Sequence, residues 1–398
     1  MKLKIKHLFC AGLAGALALI THNASAQWQT VDNYQYAAGQ SAGNYGLAVA
    51  PNGIVFAAGD AIGPDGFDHA LVRASADGGK TWLAPLDDFT GGPGNDAYYN
   101  AVACDAAGNI YAAGIYYDDA GLGPNHWVVR RSTDGGATWS TVDDYVSAPD
   151  AWATEPNAIA ADAAGNVYVV GYYNDDSANG YGWIVRKGIG GSNFATVGTL
   201  PSGWPGATSI FVHPTAGIFV AGQSYIFVNG HGVSAWIVRR SQDGGATWST
   251  MDAFYGSVST GRATTYYQGQ PLAIGADAFG NIYVAGELAI PNKSFLALWE
   301  WVVRKSSNGG NSWSTVDTFQ LSTGYSAWAS AFVADSNGNL FAAGWGSGKW
   351  IVRENPGGIG TWQTVDVVAG VADAITADRL GHVFVGGSGN GHWLVRKH

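Results

Sequence analysis

Cysteine is nearly missing from this 398-residue chain, with Cys10 and Cys104 its only two. Cys10 falls inside an apolar run from Leu8 to Ile20 that follows Lys2, Lys4 and Lys6 and precedes Ala24-Ser25-Ala26. That order is the pattern of a secretory leader, so residues 1–26 are expected to be cleaved near Ala26-Gln27 and the remainder to be secreted or periplasmic. A mature chain left with Cys104 alone forms no internal disulfide and must be held by its core. Long apolar runs are also lacking. Past the leader nothing approaches the roughly 20 apolar residues of a membrane helix, so no membrane insertion is expected.

Charge is sparse and lopsided. Only 13% of residues are charged, and 20 Lys and Arg stand against 30 Asp and Glu, for a formal net charge of −10. Nucleic acid binding needs clustered cations, and this balance excludes it as an expected partner. Glutamate is confined to Glu155, Glu287, Glu300 and Glu354.

Glycine and tryptophan are abundant, at 58 and 17 residues. Their spacing is regular. Ser75–Trp82 reads SADGGKTW, Ser132–Trp139 STDGGATW, Ser241–Trp248 SQDGGATW and Ser306–Trp313 SSNGGNSW, with decayed copies at Gly188–Phe194 and Asn355–Trp362. A second unit, AIAADAAGNVYVVG from Ala158, recurs from Ala101, Ala273, Ala331 and Ala374 and more loosely from Leu47 and Ser209. It reads as strand, tight turn, strand. A third unit, xWVVR, precedes each Gly-Gly turn, and a TWSTVD run follows it.

Each repeat therefore supplies four strands, here lettered A to D. The last repeat ends at His392–His398 without its D strand, while Gln27–Tyr34 is a D strand without a repeat. Joining them gives seven sets. The expected fold is all-β, a seven-bladed β-propeller of four-stranded antiparallel blades over residues 27–398, closed by the N-terminal strand and forming one domain. The insertions Phe254–Pro271 and Glu287–Trp299 read as loops, and a monomer is expected.

The Ser-x-Asp-Gly-Gly-x-Thr-Trp element resembles the Asp-box, or BNR repeat, of sialidase-like propellers. That resemblance implies a turn between the third and fourth strands, on the face opposite an active site. It also implies what a sialidase would need: three arginines around a carboxylate, an acid/base Asp, and a Tyr activated by Glu. The arginines do not supply this. Arg73, Arg130, Arg186, Arg239, Arg304, Arg353 and Arg396 hold one repeated position at the end of strand C, as scaffold, and only Arg262 falls on the opposite, loop-rich rim. The Asp-box aspartates themselves read as turn formers.

That rim is where a ligand is expected. Tyr116-Tyr117-Asp118-Asp119 and Tyr172-Tyr173-Asn174-Asp175-Asp176 occupy neighbouring B–C loops, and Tyr98, Tyr99, Trp152 and Glu155 lie in the D–A connections before them. Aromatic rings beside carboxylates suit sugars, and clustered Asp could instead hold Ca²⁺. The competing reading has the tyrosines extending strand B and packing between blades. The histidines show no metal-ligand spacing, and Cys104 aligns with Ala161 and Ala276 at a small buried site. With an intact scaffold and no sialidase triad, the first expectation is a non-catalytic propeller binding a glycan or a protein. Two others follow it: a glycoside hydrolase or lyase using Glu155 and Glu287, and a structural envelope or matrix component.

Overall fold

The computed structural model describes residues 27–118, 123–147, 154–174, 181–201, 206–259, 264–291 and 298–398. Within them lie seven four-stranded antiparallel sheets. The first blade runs Ala42–Val49, Val55–Ile62, Asp68–Ser75 and Asp87–Phe89. The seventh joins Val371–Ala377, Val383–Gly389 and His392–Lys397 to Gln29–Tyr34, so the N-terminal strand closes the ring. Strands A of successive blades touch around the whole circle, which places them innermost.

Local sequence explains the turns. In the Asp-box of blade 2, Asp134 Oδ1 accepts from the Thr138 N–H at 2.9 Å and Oδ2 from its hydroxyl at 2.6 Å. The Ser132 hydroxyl donates to Asp134 Oδ1 and accepts from the Gly136 N–H. Those bonds, the Thr138 hydroxyl first, pull the Asp134 carboxyl down to about 2, the mark of a turn former. Gly135 and Gly136 take φ of 75° and 98°, a region closed to most side chains.

Blades are stapled to one another in two ways. The strand-C tryptophan of one blade lies against a strand-B glycine of the next: Trp393 on Gly59, Trp183 on Gly222, Trp236 on Gly286, Trp301 on Gly344 and Trp350 on Gly387. A Cβ on any of these glycines would also strike the carbonyl of its own strand A. The second staple is ionic. Arg130 pairs with Asp87, Arg186 with Asp143, Arg304 with Asp252, Arg353 with Asp317, Arg396 with Asp366 and Arg73 with Asp32, each carboxylate coming from strand D of the preceding blade. Six repeated arginines are thus inter-blade struts.

Arg239 is the exception. Strand D of blade 3 carries Gly198 at the position of the aspartate, so among the described residues Arg239 Nε is buried without a partner, and burial lowers its pKa. Its Nη2 donates to the Trp248 carbonyl at 3.1 Å.

One expected loop proves structured. Gly256–Ser259 and Thr264–Tyr267 pair as a separate hairpin between blades 4 and 5, because Tyr266 and Tyr267 can pack back on the ring, Tyr266 against Tyr255.

Candidate functional site

Every strand A breaks its alternation once, at the same height. The register shifts fall at Tyr45, Asn100, Asn157, Thr208, Leu272, Ser330 and Asp373, each a bulge. The residue before each bulge is buried, while the bulge residue is half-buried or exposed. On the innermost strands, these seven side chains ring the central channel near its loop-bearing mouth. Some of them reach sideways: Asn100 Nδ2 donates to the Pro156 carbonyl, Asn157 Nδ2 to that of Ala207, and the Thr208 hydroxyl to that of Pro271.

Just above the bulges, each blade offers a pair facing across strands A and B. These pairs include Gly43 with Asp60, Glu155 with Tyr172, Gln270 with Glu287, and Trp328 with Trp345. The bulges and pairs together bring carboxyl groups from distant repeats to one mouth.

Blades 7 to 3 hold most of them. Asp60 is 9% exposed and its Oδ1 has no hydrogen-bond partner among the described residues. Burial, joined by the charge of Asp68, pushes its carboxyl up to about 7, and the Tyr45 hydroxyl offsets part of the rise. Tyr45 Oη and Asp60 Oδ1 converge beside Gly43, where a Cβ would lie 2.5 and 3.3 Å from them. Only glycine leaves that room. The Tyr98 hydroxyl donates to Asp68 Oδ2 at 3.1 Å, and Asp96 Oδ1 accepts the Asp68 N–H at 2.8 Å. Asp373, the seventh bulge, is also pushed up to about 7, by burial alone.

Glu155 is held differently. Asn100 Nδ2 donates to Oε1 at 2.8 Å and the Tyr172 hydroxyl to Oε2 at 2.5 Å, so both oxygens are fixed in direction. The Tyr117 N–H donates to the Asp96 carbonyl at 3.0 Å, and burial, then the charges of Glu155 and Asp96, raises the pKa of its hydroxyl. Burial first, then neighbouring carboxylates, raises the pKa of Tyr45, Tyr98 and Tyr172. These hydroxyls donate, and a tyrosinate nucleophile is disfavoured here.

Glu287 stands apart on blade 5, pushed up to about 7 by burial alone. It shares a cross-strand row with Gln270 and Trp301.

Several expected ligand residues belong elsewhere. Tyr99 is fully buried and its hydroxyl donates to Asp87 at 2.6 Å, serving a strut instead of a ligand. Tyr116 stacks on His126 at 4.4 Å and donates to Asp144 Oδ2. Asp118 pairs with His126 Nε2 at 3.0 Å on the outer strands, away from the channel. Tyr173 packs against the core between blades 2 and 3. For Tyr116 and Tyr173 the cause is that strand B runs on into the expected loop and pairs with strand C, while Tyr99 lies within strand A. Tyr98, Tyr117, Tyr172, Glu155 and Glu287 do reach the mouth. Asp119, Trp152, Asp175, Asp176 and Arg262 lie outside the described residues.

Asp60, Asp68, Asp96, Asp373 and Tyr45 escaped the sequence reading. A signal existed. Aligned on the Asp-x-x-Gly-Asn turn, the bulge column reads Tyr, Asn, Asn, Thr, Leu, Ser, Asp, and the column after the strand-B glycine holds Asp60 and Glu287 as its acids. Among the described residues, no three His, Cys, Asp or Glu are arranged to hold a metal ion. On the opposite rim, a groove of about 560 Å³ is lined by the turn residues Asp77, Lys80 and Arg379 and by Lys397 at a strand end, and contains none of the mouth carboxyls.

Neither any family model nor any curated protein matches the sequence. Solved structures do match in fold. An α-L-arabinofuranosidase from Fusarium graminearum, in complex with an iminosugar inhibitor, is 10% identical with a TM-score of 0.53, and the match covers 92% of this chain and 96% of that one. The same GH93 enzyme with arabinobiose gives a TM-score of 0.52 at 10% identity, covering 92% and 96%. An ancestral GH74 enzyme is 15% identical with a TM-score of 0.56, and 93% of this chain covers half of that one, 50%. The likeness is one of fold, but it corrects the expectation of a non-catalytic binder. That expectation rested on an intact scaffold without sialidase residues, and an end-to-end structural match is a glycosidase.

Proposed function

We propose that the chain is a glycoside hydrolase working at the loop-bearing mouth. The observation that carries the reading is the contrast between two carboxyls at that mouth. Asp60 is desolvated and keeps its proton to about pH 7, whereas Glu155 is oriented through both oxygens. Glycosidic cleavage needs that division of labour. Asp60 donates its proton to the glycosidic oxygen as the C–O bond breaks. Glu155 supplies the other half, adding to the anomeric carbon itself or deprotonating the water that adds. The Asp-box turns resemble those of sialidase-like propellers, but the raised tyrosines and the arginines committed to struts argue against sialidase chemistry. Export through the expected leader would bring the site to polymeric glycans.

Hydrolysis of p-nitrophenyl glycosides and of neutral polysaccharides tests this. Activity is expected to fall as pH rises through about 7, where Asp60 loses its proton. Asp60→Asn should lose roughly 10²- to 10⁴-fold on poor leaving groups and much less on dinitrophenyl glycosides, which leave without an acid. Glu155→Gln should fail on both, and the anomer released reports whether Glu155 or water attacks. Absence of turnover across such a panel, or full activity in both variants, refutes the proposal.

A further inference from the structure

Trp328 and Trp345 stand out among the tryptophans. Trp127, Trp236, Trp301, Trp350 and Trp393 are fully buried staples between blades. Trp328 and Trp345 instead form the cross-strand pair of blade 6, at the height of Asp60 and Glu287, with ring centroids 4.3 Å apart and planes within 20°. Both are half-buried, and neither belongs to a buried cluster. Their indole N–H groups have no partner among the described residues and are not enclosed, unlike those of the staples. Packing does not account for them.

The rim around them is low. Strands B and C of blade 6 are joined by Ser347-Gly348 alone, with φ of 53° and 78°, and those of blade 7 by Asn390-Gly391. Blades 2, 3 and 5 carry longer connections at this position, residues 118–124, 175–180 and 291–297, and blade 4 projects a hairpin of twelve- and eleven-residue strands. Among the described residues, the hairpin of blade 4 rises at the mouth while blades 6 and 7 leave it open. Tyr325, 61% exposed, stands in the connection leading to Trp328.

We infer that Trp328 and Trp345 form a sugar-stacking subsite on the open side of the mouth, so that the ligand is a neutral oligosaccharide longer than the one bond to be cleaved. This deepens the proposed function and rests on the mouth being the binding face. Two indoles stacked on each other are already rigid, so an apolar C–H face of a sugar ring laid on the outer one binds with little ordering cost. Free indole N–H groups can donate to its hydroxyls. Asp68, Asp96 and Glu155 give the mouth carboxylates that would repel uronates and spare neutral sugars.

Calorimetric titration of the full chain with cellotetraose, xylotetraose, arabinotetraose, mannotetraose and tetragalacturonate tests the inference. At least one neutral tetraose should bind and quench tryptophan fluorescence. Trp328→Ala and Trp345→Ala should weaken it about tenfold or more, with Trp345→Phe keeping most of the affinity. Equal binding by both alanine variants, tighter binding of tetragalacturonate, or no neutral ligand at all overturns it. The two proposals fail separately. Tryptophan-dependent binding without turnover would leave the subsite standing and remove the hydrolase, whereas Glu155-dependent turnover with tryptophan-independent binding would do the reverse.

Discussion

Cutting one inter-blade strut should cost more than its surface share of the fold would imply. Arg186 Nε and Nη2 each lie 2.6 Å from an oxygen of Asp143, and the side chains are 9% and 6% exposed. The guanidinium also lies 4.1 Å over the Tyr145 ring, in a site with little room for water. Asp143→Ala leaves that cation buried and uncompensated, at a cost of about 3–5 kcal/mol. At roughly 2.1 cal/mol/K of unfolding entropy per residue, a ring of this length should lose about 4–6 °C in Tm. The double variant Asp143→Ala/Arg186→Met removes the stranded charge together with its partner and should recover to within about 1 kcal/mol of the parent. Differential scanning calorimetry and urea titration of the cycle decide it. A loss below 1 kcal/mol for Asp143→Ala, or a double variant no better than the single, would show that the struts are hydrated and that packing alone holds the blades.

Two further outcomes follow from the same ring. Gly198→Asp restores the missing carboxylate beside Arg239 Nε, and because Gly198 has no positive φ the backbone accepts a side chain. Its Cβ would come within 2.7 Å of Trp248 Nε1, so the indole must shift. A net gain of about 1 kcal/mol in urea unfolding is expected, and a loss would show that Trp248 cannot move. Glu287→Gln should stabilise the protein at neutral pH and not in acid. The parent carboxyl is raised from 4.5 to about 7. Below 4.5 it is protonated folded or unfolded, between there and 7 the unfolded chain sheds the proton more readily, and parental stability falls across that window. The variant lacks this slope, so its advantage should grow from about pH 4.5 and level off near 7 at no more than about 3 kcal/mol. Parallel thermal melts at pH 4 and pH 8 check this, and an equal shift at both would refute it.

Much of the architecture was legible because it repeats. The Gly-Gly turn needs Asp134 to satisfy its own backbone, the strand-B glycines must admit a tryptophan edge, and the arginine must meet an aspartate one blade back. Each rule is local or recurs at a fixed offset, so it prints itself several times. Even the exception, Gly198 opposite Arg239, is visible as a break in the column.

The site was legible only in fragments. Loop aromatics and scarce glutamates point to Glu155, Glu287, Tyr98, Tyr117 and Tyr172 of the proposed site, whereas Tyr99, Tyr116, Asp118 and Tyr173, which look the same in sequence, are committed to a strut, a stacked pair, an ion pair and core packing. By itself the sequence determined the blade count, the closure by the N-terminal strand and the sorting of arginines into scaffold. Only the tertiary structure decided which acids lose their water. Asp373 at its bulge and Asp60 on the neighbouring strand B are ordinary aspartates until the ring packs separate repeats together, where loss of water raises their pKa. Desolvation is set by neighbours far away in the chain, and no spacing within a repeat encodes it.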